Sequence, residues 1–154
     1  MSIICEEILS AKDKRVAIVV SRFNHHITDA LLQDALEAFE KLDGKSNTID
    51  VAYVPGAFEI PVVAKKFAQS KKYDGILCLG CVIQGGTPHF QYVCQGVTDG
   101  VMQAMLETNT PMSFGVLTTD TLQQAAERSA GKEGSKGREA MLALLETIQV
   151  LKKV

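Results

Sequence analysis

The stretch GILCLGCVIQGGTPHF, residues 75–90, falls into two halves. The first, from Gly75 to Ile83, is apolar throughout and carries no charge. A half-buried strand would alternate apolar and polar residues. An unbroken apolar run of this length suits a strand covered on both faces, as in a parallel sheet. The second half turns: Gly85 and Gly86 precede Thr87, Pro88 and His89.

Three further apolar, partly β-branched runs follow the same logic: Val16–Val20, Ile49–Val54 and Met112–Leu117. Helical periodicity fills the gaps. Leu32, Ala35, Leu36 and Phe39 share one face, as do Ile60, Val63, Ala64 and Phe67, and then Phe90, Val93, Val97, Val101 and Met105. Thr121-Leu122-Gln123-Gln124 has the form of a capping box and should open a short helix. A last helix carries Met141, Leu144, Leu145, Ile148 and Leu151, and Gly131, Gly134 and Gly137 surround the join before it. The order β-α-β-α-β-α-β-α-α predicts a three-layer α/β sandwich of flavodoxin-like type, with a mainly four-stranded parallel sheet. With 154 residues and no repeat or Pro/Ser-rich linker, one domain is expected over 1–154. Ile3, Ile4 and Cys5 precede the pattern and are read as an edge strand, on this chain or added to a neighbouring subunit's sheet.

The balance of 16 Lys+Arg against 18 Asp+Glu leaves no basic excess, so neither nucleic acid nor an anionic membrane is an expected partner. No apolar run approaches the ~20 residues that span a bilayer. The first residues, MSIICEEILSAKDKR, lack the features of a signal peptide, and a cytoplasmic location is expected. Cys78 and Cys81 form a C-x-x-C, which can serve redox chemistry or zinc. Both lie inside the apolar run, whereas a redox pair would be exposed at a helix start. No second C-x-x-C or paired histidines complete a zinc site. They are read as small buried hydrophobes. The adjacent His25 and His26 point in different directions in any regular structure, and no metal site is expected.

Open α/β sheets bind ligands beyond the carboxyl ends of their strands. That rule selects SRFNHH, PGAFE, QGGTPH and TTD, one segment after each strand. Gly85 and Gly86 allow close approach, and amides near a helix start suit a phosphate. Thr87 adds a hydroxyl, and His89 can move a proton near neutrality. The bland alternative is a tight turn with a surface histidine. Glu59 stands in a first helical turn, where it either complements the helix dipole or accepts bonds from ligand hydroxyls. Phe23 is either a core anchor or a stacking surface for a flat heterocycle. Arg128 and Lys136 flank a glycine-rich corner, as a solvated face or as cations presented to a phosphate.

The segments SRFN, VPGAFEIP, YDGILCLGCVIQGGTPHFQYVC, FGVLTTDTLQQAAER and GSKG, in this order over roughly residues 14–152, resemble the 6,7-dimethyl-8-ribityllumazine synthase family. The combination of VPGAFEIP with G-x-V-I-x-G-x-T-x-H-F is highly specific. The resemblance implies condensation of 5-amino-6-(D-ribitylamino)uracil with 3,4-dihydroxy-2-butanone 4-phosphate, without metal or organic cofactor. It implies that Phe23 stacks on the pyrimidine and that Ala57, Phe58 and Glu59 hold the ribityl chain. It places Cys81, Val82 and Ile83 along the ring pocket, with Gly86, Thr87 and Arg128 on the phosphate and His89 as general acid/base. Lys136 and Glu139 take supporting roles. The resemblance further implies a homopentamer whose sites lie between subunits, with Phe114, Arg128 and Lys136 coming from the neighbour. Twelve such rings form a 60-mer shell in some members, and riboflavin synthase is a possible enclosed partner. Ser135 stands where Asn is more usual, Gln84 where many members have Arg, and residues 129–132 differ from the frequent AGTK.

Two other readings compete. A non-catalytic lumazine or flavin carrier would not need Thr87, Arg128 and His89 together. A generic flavodoxin-like or receiver-like module would need a phosphate loop or clustered acids after the first strand, where this chain has SRFN.

Overall fold

The computed structural model describes residues 8–130 and 135–154. The expected edge strand at Ile3–Cys5, and Gly131, Lys132 and Gly134 of the glycine-rich join, lie outside the described residues.

Four strands form one parallel sheet: β1 (Val16–Ser21), β2 (Ile49–Val54), β3 (Gly75–Ile83) and β4 (Met112–Thr119), in the order β2-β1-β3-β4. Helices α1 (His25–Lys41), α2 (Ile60–Gln69), α3 (His89–Thr108), α4 (Leu122–Ala130) and α5 (Lys136–Leu151) follow the strands in the expected alternation. This is the flavodoxin-like arrangement, with chain reversal between β1 and β3 opening a ligand crevice at their carboxyl ends.

The alternation of side chains along each strand sends residues to two separate cores. Val16, Ile18, Val20, Leu77, Leu79 and Cys81 face α1, α4 and α5. Ala17, Val19, Ile76 and Cys78 face α2 and α3. Three layers result. Cys78 and Cys81, three apart, therefore sit on opposite faces of the sheet, and burial pushes their thiols up to about 12 and about 11. Neither supplies a thiolate nucleophile near neutral pH. Phe39 of α1 is fully buried, and truncating it to Ala should cost about 3–5 kcal/mol.

One expectation fails at β2. Its run is apolar enough to suggest burial on both faces, yet Val51 and Tyr53 are exposed. β2 is an edge strand, with β1 on one side only, and helices cover the sheet's middle before its margin.

Helix ends follow local chemistry. Thr121 Oγ1 accepts from the Gln124 N–H at 3.2 Å, as the capping box predicts, although Gln124 Oε1 returns to the Asp120 N–H instead of that of Thr121. Ser135, the departure from Asn, caps α5 by accepting from Gly137 N–H at 3.1 Å. Gly137 has a separate reason to be glycine: a methyl group there would overlap the Leu31 carbonyl of α1.

Candidate functional site

Three of the four selected segments meet at the carboxyl end of the sheet. Two ladder-like bonds continue beyond β1 and β2: Arg22 N–H donates to Val54 O at 2.8 Å, and Phe23 N–H to Pro55 O at 3.0 Å. They carry Phe23 to the rim beside residues 55–59. β3 ends at Ile83, and the glycine pair then leads to His89, the first residue of α3. Together these segments and the first turn of α3 enclose a cleft of about 770 Å³. Its walls include Phe23, Ala57, Phe58 and Glu59, then Cys81, Val82 and Ile83, then Thr87 and His89.

Phe23 is 71% exposed and so is no core anchor. Such a ring at a cleft rim has a free face for stacking. Ala57 is buried, while Phe58 is 60% exposed. Glu59 ends a 3-10 turn and folds back, with Oε2 accepting from the Gly56 N–H at 2.9 Å. That local cap orients the carboxylate and leaves its other oxygen available as an acceptor. Gly85 and Gly86 keep ordinary negative-φ or extended backbone, and a Cβ on either would meet nothing within 4 Å. Turn strain therefore does not explain the glycine pair, and the space above it stays clear. Thr87 Oγ1 accepts from the His89 N–H at 3.4 Å, and the His89 imidazole has no hydrogen-bond partner among the described residues. A threonine hydroxyl, free amides and a helix start together suit an anion. Gln84, where Arg is frequent, turns its amide onto Gly85 O at 2.8 Å.

The fourth segment departs from the expectation. Thr118 and Thr119 are not a loop but the end of β4, paired with Val82 and Ile83. Phe114 lies earlier in β4, opposite Cys78 and five residues before Thr119. At ~3.3 Å per residue it stands ~16 Å back along the sheet from the carboxyl edge. It lines a second cleft of about 440 Å³ with Arg128, Lys136 and Glu139. The two clefts share no lining residue. In the second, Arg128 donates from Nη1 to Gln124 O at 3.0 Å, and Lys136 pairs with Glu139. The sequence-selected residues thus form two groups: Phe23, Ala57, Phe58, Glu59, Cys81, Val82, Ile83, Thr87 and His89 in one, Phe114, Arg128, Lys136 and Glu139 in the other. Gly86 belongs to the first group's loop but not to its walls.

Sequence reasoning passed over Tyr92 and Asn24. Tyr92 lines the first cleft, one helical turn beyond His89, and is 72% exposed. Its i, i+3 spacing from His89 is the signal that would have found it. Asn24, the fourth residue of SRFN, adopts a left-handed backbone at φ 61° and donates from its amide to Cys81 O at 3.0 Å. Among the described residues no group of three or more His, Cys, Asp or Glu could hold a metal ion. No described helix is long and apolar enough to cross a membrane.

The sequence pattern of the 6,7-dimethyl-8-ribityllumazine synthases matches residues 13–152. A curated protein of Campylobacter lari named 6,7-dimethyl-8-ribityllumazine synthase is 50% identical over 152 residues, covering 98% of this chain and 97% of that protein. Both matches span the two clefts and all four strands. The chain belongs to the 6,7-dimethyl-8-ribityllumazine synthase family.

Proposed function

We propose that this protein is a transferase of riboflavin biosynthesis that condenses 5-amino-6-(D-ribitylamino)uracil with 3,4-dihydroxy-2-butanone 4-phosphate, giving 6,7-dimethyl-8-ribityllumazine, phosphate and water. The observation that carries this reading is one cleft holding Phe23, Glu59, Thr87 and His89 together in a chain matched by the family over nearly its whole length. The chain acts as one domain in this reading.

The roles follow from what each wall offers. Phe23 stacks on the pyrimidine, and Cys81, Val82 and Ile83 line the ring pocket. Ala57, Phe58 and Glu59 hold the ribityl chain, with the free oxygen of Glu59 accepting from its hydroxyls. Gly86, Thr87 and Arg128 bind the phosphate. The substrate's primary amine attacks the ketone and loses water to form an imine. His89 moves protons in that step, then helps remove the carbon-bound proton as the C–O bond to phosphate breaks. Ring closure onto the ribityl-bearing nitrogen releases a further water. Positioning carries much of the acceleration, because the two reactants are held in one orientation.

Arg128 lies in the other cleft of its own chain, which supports a site completed by a neighbouring subunit. In this reading Phe114, Arg128, Lys136 and Glu139 of one subunit face the His89 cleft of the next, within a ring of five. Further assembly into a 60-mer, and riboflavin synthase as a partner, belong to the same reading, as does a cytoplasmic location.

The purified protein, given both substrates, should form lumazine faster than the uncatalysed reaction, and a folded sample without acceleration would sink the proposal. Chains with His89→Ala and chains with Arg128→Ala should each be impaired alone. Co-expressed at equal amounts, they should regain intact sites at about one interface in four by random mixing in a symmetric ring. A mixture no better than its components would place the site within one chain.

A further inference from the structure

The loop that carries Phe23 is closed by three sets of bonds. Thr28 Oγ1 donates to Ser21 O at 2.7 Å in the buried interior. The N–H groups of Ile27 and Thr28 donate to Asn24 O at 2.9 and 3.2 Å. Asn24 Nδ2 donates to Cys81 O at 3.0 Å, reaching across to β3. On its other side the loop hangs from the residue just after β2, through Phe23 N–H and Pro55 O, 3.0 Å apart. Phe23 therefore sits between two anchors, one just beyond β2 and one on β3, and both anchor residues line the cleft.

Asn24 makes this possible through two separable properties. Its left-handed backbone, φ 61° and ψ 43°, turns the chain from strand into helix. Asn tolerates that region better than most residues. Its amide then supplies the cross-strand donor that the backbone, now turning into α1, no longer provides.

We infer that Asn24 is a positioning residue for the ring-binding half of the cleft, fixing Phe23 relative to Cys81, Val82 and Ile83. The inference rests on the ring-binding role proposed for Phe23. It acts through the loop, with no contact to substrate required.

Asn24→Gly separates the two properties, since glycine adopts the left-handed region freely but has no amide donor. In the full-length assembled protein, N24G should raise KM for 5-amino-6-(D-ribitylamino)uracil about tenfold, the scale of one lost hydrogen bond. KM for 3,4-dihydroxy-2-butanone 4-phosphate and kcat should hold within about twofold, on the same scale. N24D, of equal length, places a carboxylate against the Cys81 carbonyl and should raise the ring-substrate KM further. An unchanged ring-substrate KM, or both KM values and kcat worsening together, would overturn the inference. Failure of both variants to assemble would also overturn it, by making the clamp a folding element. Wild-type turnover measured alongside keeps the tests apart: inactive wild type defeats the proposed function, whereas active wild type with unaffected N24G defeats only the positioning role.

Discussion

At the amino end of the sheet, Asp74 accepts from the Arg15 N–H at 2.8 Å and pairs with Lys152 at 3.1 Å. Asp50 accepts from the Tyr73 hydroxyl at 2.7 Å and lies 3.5 Å from Arg15, whose guanidinium stands 6.0 Å from the Tyr73 ring centre. At the carboxyl end of the same strands, His89 has no side-chain partner among the described residues, and Phe23 and Tyr92 are mostly exposed. The backbone register is continuous from one end to the other, so strand geometry does not make the difference. At the amino end, residues beside the strand starts and the end of α5 bring opposite charges within reach. At the carboxyl end, the loops border a cleft of about 770 Å³, and the His89 imidazole on its wall is left without a side-chain partner among the described residues. Groups left unpaired at a rim are the ones a ligand can satisfy, at some cost to stability. Substitutions should therefore divide: carboxyl-end changes lower activity and amino-end changes lower stability.

The sharpest way to break that division is His89→Ala. Turnover should fall by roughly 100-fold, at the low end for an acid/base group because orientation contributes so much to this condensation. The melting temperature should barely move, since the imidazole makes no side-chain bond to lose. A drop of several degrees would show that His89 also holds the fold. Glu59→Gln is a finer probe. The amide oxygen can still accept from the Gly56 N–H, so the turn should survive. What weakens is a charge-assisted bond to a ribityl hydroxyl, and KM for the ring substrate should rise roughly 3- to 30-fold. An unchanged KM would remove Glu59 from the substrate and return it to helix capping alone.

The contrast between the two ends also explains what was legible in the sequence. Largely apolar runs mark all four strands, and the unbroken one at Gly75–Ile83 encodes burial on both faces. The glycine-rich loop and His89 were visible because a buried strand has to end somewhere, and its carboxyl end is where ligands bind. Val51 and Tyr53 misled, because residue type reports apolarity but not position at the edge of a sheet. Thr118 and Thr119 read as loop because β-sheet pairing with Val82 and Ile83 is non-local. Asn24 was invisible for a similar reason: its partner, the Cys81 carbonyl, is 57 residues away and is a backbone atom. The separation of Phe114 from the His89 cleft likewise depends on register along β4, which no local pattern in FGVLTT specifies.

The smallest expected effect is at Asp74, and its pH dependence gives it a sign. Burial works to raise this carboxyl. The Arg15 N–H, the Lys152 hydrogen bond and the charges of Lys152 and Lys14 outweigh burial, and hold the group below its ordinary value of 3.8. A carboxyl depressed in the folded state stabilises the fold above its unfolded pKa, and that stabilisation is lost as pH falls through the folded value. The Asp74 hydrogen bond raises Lys152 above 10.5, so its share is present below that pH and fades only as pH climbs past the folded value. The pair is therefore fully formed from about pH 5 to about pH 10. Asp74→Asn should lower stability in that window by no more than about 1 kcal/mol, given the pair's partial exposure, or roughly 2–4 °C in melting temperature. Thermal melts of both proteins should begin to converge as pH drops below about 4 and meet once it has fallen through the lowered folded value, where the wild-type carboxyl also loses its charge. Turnover at pH 7 should be unchanged, because Asp74 lies at the opposite end of the sheet from the cleft. If the melts stay separated by the same amount at pH 3, the ion pair with Lys152 does not carry the effect, since the substituted amide keeps an oxygen that can accept from the Arg15 N–H.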